Sequence, residues 1–261
     1  MAETIENADV EQVGAENALV IAVSHDAVFG DDDGALSRAG DGAVSGAGLA
    51  FPLLQAVQSV NERLSQLNPP DDSESVRLKV VLVCAHRVQQ QQQQKDQVQS
   101  RARSHGLQID RFSFPRKDDF ADSLVANKVH LFVTTNASEA TRAADRGVLS
   151  ALLDPVSACG PPEQLRVMFC GDSIIDPKSH QAAQVFWSRL GQIRQRFGVA
   201  DSPLSLVLLS SHGGISGCRG ALQSLRTVGL NADEAYCLGG SPRKPLMSLL
   251  RPHFLLGAPE E

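Results

Sequence analysis

The sequence lacks any apolar run approaching the roughly 18 residues that a membrane-spanning helix needs, so no membrane partner is expected. It lacks a C-x-x-C pair. Its five cysteines (Cys84, Cys159, Cys170, Cys218 and Cys237) are odd in number and scattered, which argues for reduced thiols and against a zinc site. It also lacks a basic excess: 24 Lys and Arg stand against 30 Asp and Glu, a net charge of −6. Tracking a nucleic-acid backbone needs a basic stripe, so nucleic acid is excluded as a main partner. The first residues carry Glu3, Glu6, Asp9 and Glu11, unlike a secretory or transit peptide, and residues 1–17 are expected to form a disordered acidic leader. A cytoplasmic location is the expectation that follows.

What is present is an alternation of short apolar runs and amphipathic stretches. Ala18–Val23, Val80–Val83, Val129–Thr134, Leu165–Phe169, Leu204–Leu209, Ala235–Leu238 and His253–Leu256 read as strands. Phe51–Leu67 reads as a helix, with Leu53, Val57, Val60, Leu64 and Leu67 at spacings of three and four. Further helices are expected over Ser138–Leu153, over Val185–Phe197, and from the glycines at 213 and 214 to near Gly229. Gly30–Gly48 has little to bury and reads as a loop, and the glutamine run Gln89–Gln94 reads as a solvated helix extension. The pattern predicts an α/β fold: a mostly parallel sheet with helices on both faces, in three layers. It is read as one domain over residues 18–256, with possible halves 18–154 and 163–256 and a tail at 257–261. The strand ends of the two halves match in rough order, in pattern more than in letters.

The chemistry is expected at the ends of those strands. Leu165–Phe169 stops at Cys170-Gly171-Asp172, a small-residue turn carrying an acid, which is where open α/β sheets place their ligands. Leu204–Leu209 stops at Ser210-Ser211, followed by Gly213-Gly214, and hydroxyls and backbone N–H groups at a helix start suit a phosphate. Arg243 and Lys244 lie between prolines in a later loop and offer positive charge for an anion. His25, His86 and His212 each follow a strand, and polar loop roles are the simpler reading for them. Cys84, Cys218 and Cys237 read as small core residues, and Asp176 as a helix cap or solvated acid.

Several blocks resemble the cytosolic 5'-nucleotidase I family of the haloacid dehalogenase-like superfamily. They are ALVIAVSHDAVF, the helix containing Val60-Asn61-Glu62-Arg63-Leu64, HGLQIDRF, EQLRVMFCGDSII and LRTVGLNADEAYCLGGSPRKPLMSLLRPHF. The resemblance implies a haloacid dehalogenase-like fold and magnesium-dependent hydrolysis of AMP-like nucleoside 5'-monophosphates. In that chemistry an aspartate attacks phosphorus, a second acid protonates the leaving oxygen, and a hydroxyl and a lysine hold the phosphoryl oxygens.

Carried over by position, the nucleophile falls on Cys170, the general acid on Asp172, and the hydroxyl on Ser210 or Ser211. The lysine falls on Arg243, with Lys244 beside it, and the metal-binding acids fall on Gly257 and Ala258. Asp172 is the one acid of the set that remains as a ligand for Mg2+. A cysteine nucleophile of the tyrosine-phosphatase kind would need an arginine six residues on, where Asp176 stands, an acid that repels phosphate. The expectation is a catalytically impaired relative, a pseudoenzyme that still takes a nucleoside monophosphate or phosphate. Two alternatives stay open: a weak phosphohydrolase using Asp172, and a non-catalytic partner of an active relative. A homo-oligomer is also left open.

Overall fold

The computed structural model describes residues 3–10, 18–30, 47–67, 76–85, 91–153, 160–171, 181–198, 201–211, 215–227 and 229–257. Within them the chain has a mixed α/β fold, mostly parallel, with helices on both faces of its sheets. The elements run β1 (Glu3–Glu6), β2 (Leu19–Ser24), α1 (His25–Val28), α2 (Phe51–Leu67), β3 (Leu78–Val83), α3 (Gln91–Ser104), β4 (Arg111–Phe114), α4 (Phe120–Ala126) and β5 (Leu131–Thr134). Then follow α5 (Ala137–Asp145), β6 (Leu149–Leu152), β7 (Leu165–Cys170), α6 (Gln181–Gln195), β8 (Leu204–Ser210), α7 (Ile215–Thr227), β9 (Glu234–Cys237), α8 (Lys244–Leu250) and β10 (Phe254–Leu256).

The strands divide into two sheets, ordered β1-β4-β3-β2-β5-β6 and β10-β7-β8-β9. Every pairing is parallel except that of β1 with β4. Leaving β1 aside, both sheets are wound alike. In each, the first strand lies inside, the next two extend to one side, and the fourth returns to the other. That reversal makes a crevice at the carboxyl ends of the first and fourth strands, the usual ligand position in such sheets. In the second sheet it falls between β7 and β10.

Burial follows from two-sided coverage. Leu19, Ile21 and Val23 of β2 and Leu78, Val80 and Leu82 of β3 turn one face of the first sheet to a core built with α2 and α3. Val20, Ala22, Val81 and Val83 turn the other face to Phe120 and Leu124 of α4 and Ala143 of α5. Alternate residues of a strand point to opposite faces, so strands buried on both sides read as continuous apolar runs. Helix α2 also packs on β7 and helix α6 on β2, so the two sheets share one large core. Asn61 fixes the seat of α2: its side chain donates to the Leu78 carbonyl at 2.8 Å and accepts from the Leu78 N–H at 3.0 Å. Two backbone groups at the start of β3 are thereby satisfied by one amide.

Three expectations are corrected. Within the stretch read as a disordered leader, Glu3–Glu6 forms β1 against β4. Ile5 packs on the core, the Asn7 amide donates to the Ile109 carbonyl, and Lys95 pairs with Glu3 at 2.7 Å. The helix expected over Ser138–Leu153 ends at Asp145; Gly147 turns the chain at φ 76 and Leu149–Leu152 becomes β6, paired with β5. A left-handed residue ends a helix, and glycine takes that conformation at no Cβ cost. Cys237 is exposed and so is not a core residue, whereas Cys84 is buried and Cys218 is half-buried against the core. Of the glutamine run, Gln91–Gln94 begin α3; the rest lies outside the described residues, as do 31–46 of the expected loop.

Candidate functional site

The crevice of the second sheet is built from the ends of adjacent parallel strands. Phe169 of β7 pairs with Leu208 of β8 and Leu256 of β10, and Cys170 pairs with Leu209. Cys170 therefore ends the inner strand with Ser210 one step further along on one side and Gly257 just past β10 on the other. Cys170 is 6% exposed and Ser210 1%, so both sit in the floor of the rim, while Ser211 is exposed. Ser210 pairs with Cys237 of β9, and its carbonyl accepts from the Leu238 N–H at 2.8 Å. Beyond β9 the chain turns through Gly239 and Gly240, at φ 58 and 89, and enters α8 with Arg243 at its cap and Lys244 exposed.

Gly171 is required by space. A Cβ there would lie 2.7 Å from the Ala221 Cβ of α7 and 3.2 Å from the Leu208 side chain. The missing side chain lets α7 pack closely over the ends of β7 and β8.

The structure brings Cys170, Ser210 and Gly257 to one rim and sets Arg243 and Lys244 after β9, two strands from β7. Asp172, Gly213, Gly214, His86, His212, Asp176 and Ala258 lie outside the described residues. His25 follows β2 and bonds Asp26 at 3.1 Å, a local polar role.

Among the described residues, the donor set at the rim does not suit a hard divalent cation. Magnesium asks for oxygen ligands, chiefly carboxylates and water. The described rim supplies the Cys170 thiol, the Ser210 hydroxyl and, past β10, a glycine with no side-chain donor. Among the described residues no group of three or more His, Cys, Asp or Glu gathers to hold a metal. No helix among them is long and apolar enough to cross a membrane.

Sequence reasoning missed a second polar centre on the first sheet. Lys79 and Asp110 are 3% and 2% exposed. The Asp110 carboxylate accepts from the Val80 N–H at 2.8 Å and from Arg77 at 3.1 Å. Burial pushes its carboxyl up and the Lys79 ammonium down. The visible signal was one lysine inside an otherwise apolar strand.

Comparison with known proteins finds a family and curated relatives. The family model described as 5'-nucleotidase matches residues 11–184. Human cytosolic 5'-nucleotidase 1B is 25% identical over 286 aligned positions, which cover 92% of this chain and 45% of that protein. The chain thus spans less than half the length of that relative. No solved structure matches.

Proposed function

The chain belongs to the 5'-nucleotidase family, and from that premise we propose that it binds the phosphate end of a nucleoside 5'-monophosphate at the β7 rim without hydrolysing it at a useful rate. The observation that carries the reading is the position of Cys170, at the end of the strand beside the crevice, where the resemblance puts the attacking aspartate. A carboxylate there would split phosphate transfer into two easier displacements. Removing a covalent nucleophile costs on the order of a million-fold in turnover in the best-measured hydrolase. Gly257 removes a carboxylate from the same rim, so nothing described there neutralises the charge that moves during transfer.

What remains suits binding. The Ser210 hydroxyl, the Ser211 turn with Gly213 and Gly214 beyond it, and the Arg243 and Lys244 cations are groups that hold phosphoryl oxygens. Asp172 stands as the position of the acid that protonates a leaving oxygen, which leaves a slow phosphohydrolase as the second reading. The halves 18–154 and 163–256 are proposed as two similarly wound parts of one unit, supported by each sheet, β1 aside, drawing its strands from one half. A cytosolic location is proposed from the printed name of the human relative.

The test is binding of AMP by calorimetry beside phosphate release with excess magnesium, for the wild type, Cys170→Ala and Arg243→Ala. Binding without release, unchanged in Cys170→Ala and weakened in Arg243→Ala, supports the proposal. Release that vanishes in Cys170→Ala makes the thiol a nucleophile and overturns it. Absence of both binding and release also overturns it and favours a protein that acts by pairing with an active relative.

A further inference from the structure

A cavity of about 210 Å³ opens at the amino ends of β2, β3 and β4, on the face of the first sheet that α4 covers. Its apolar floor includes Val20 and Val81. Around it stand Lys79, Arg111, Lys128 and Arg189, with Asp110 the one carboxylate among the described residues of the lining. Four different elements or their flanks deliver those cations: β3, β4, the turn after α4, and α6.

Charge bookkeeping makes the cavity unusual for this chain. Arg77 sits 3.1 Å from Asp110, and Glu6 of β1 approaches Arg111 at 3.7 Å. With those two neighbours included, five cations face two carboxylates among the described residues, in a protein whose net charge is −6. His130 adds no charge near neutrality: burial, then Arg189, bring its pKa down to about 4, and its Nδ1 accepts the Val20 N–H at 3.0 Å. Its proton is then on Nε2, which makes the ring a hydrogen-bond donor.

Lys79 is the costly member. It continues the row of Val81 and Val83 that packs on α4, and a lysine almost never lies so deep without compensation. Asp110 supplies part of it. Arg189 reaches in from α6 and donates to the Ala18 carbonyl. Lys128 is held at the mouth by backbone in the left-handed region, φ 54, where an ordinary residue is strained. A surplus of cations against a low-dielectric wall strengthens any anion that enters.

We propose that this cavity is a binding site for a compact dianion, a small phosphate or dicarboxylate, separate from the β7 rim. The volume equals about seven water molecules at their liquid share, enough for one such group and a short apolar body but not for a nucleotide.

The experiment is calorimetry of the full chain at low ionic strength with inorganic phosphate and, separately, malonate. It is run on Arg243→Ala, which weakens the rim, and on Arg243→Ala combined with Lys128→Glu or with Lys79→Met. Binding of at least one anion to Arg243→Ala is expected, weakened at least about fivefold by Lys128→Glu and falling as salt is added. Which of the two anions binds more tightly identifies the ligand class. Should Lys79→Met fail to fold by circular dichroism, the exposed Lys128→Glu variant decides alone. The proposal is overturned if neither anion binds to folded Arg243→Ala, or if binding is the same after Lys128→Glu.

Discussion

Ser210 closes β8 one register step beyond Cys170, because Cys170 itself pairs with Leu209 across β7 and β8. A hydroxyl and a thiol are thus neighbours on one rim, with Gly257 on the opposite flank of the thiol. Restoring one carboxylate should therefore not restore chemistry. Phosphate release from AMP with magnesium is expected to stay at background in Cys170→Asp. It should first become measurable when Gly257→Asp and Ala258→Asp are added. Release by the single variant would show that the charge-neutralising groups are already in place.

Acid should weaken the fold through buried imidazoles. His253 is 2% exposed, its Nδ1 accepts the Arg166 N–H at 3.0 Å, and burial brings its pKa from 6.5 down to about 4. The unfolded chain takes up that proton first. The stability is intact above pH 6.5 and is lost as pH falls from there towards 4, to the extent of roughly 3 kcal/mol for a fully expressed effect. Asp110, pushed up by burial, acts in the opposite direction, so the comparison needs a variant. Urea midpoints at pH 7 and pH 4.5 should fall less in His253→Gln than in the wild type; equal falls would reject the assignment.

Two helical glycines should respond with opposite signs to alanine. A Cβ on Gly191 of α6 would lie 2.5 Å from the Gly229 carbonyl oxygen, a backbone atom that cannot turn aside. Gly191→Ala is expected to cost about 1–3 kcal/mol. Gly220 of α7 has nothing within 4 Å of that position, and Gly220→Ala should gain about 0.5–1 kcal/mol from helix propensity alone. Thermal midpoints of the two variants measured side by side settle both.

Thiol reactivity should rank the cysteines. Cys237 is exposed, whereas Cys84 and Cys170 are buried, and burial pushes the Cys84 thiol well above its usual range. Cys218 is raised to about 11, first by its hydrogen bond with Cys237 and then by burial. In a Cys159→Ser background, a maleimide at pH 7.5 should modify Cys237 first, with Cys84 and Cys170 reacting only after denaturation. Peptide mass spectrometry reads the order, and early labelling of Cys170 would place that thiol in an open rim.

Strand positions were legible because two-sided burial leaves compact apolar runs such as Ala18–Val23 and Leu204–Leu209. The rim was legible for the same reason: Cys170 and Ser210 are where those runs stop. Pairing was not legible. Period and propensity say that Leu165–Phe169 is a strand but carry nothing about which strand it joins, so the split into two sheets had no local signature. The segment Leu149–Leu152 was hidden by the alanine-rich run before it, with the single Gly147 as the only mark of the break. Lys79 falls just before the expected strand Val80–Val83 and drew no reading, because its meaning depends on Arg189, 110 positions away in the chain and brought close only by the packing of α6.

The short strand β1 also bears on how the protein behaves among its own copies. It lies along the outer side of β4, whose Phe112 and Phe114 belong to the core, and it is antiparallel, four residues long and carries Glu3 and Glu6. A free parallel edge would offer a ready template for strand addition by another molecule. Here that edge is capped by a segment too short and too acidic to recruit the next one. Strand β1 thus covers an edge that would otherwise invite strand addition, and its loss is expected to be felt first as poor solubility and only later as lower stability.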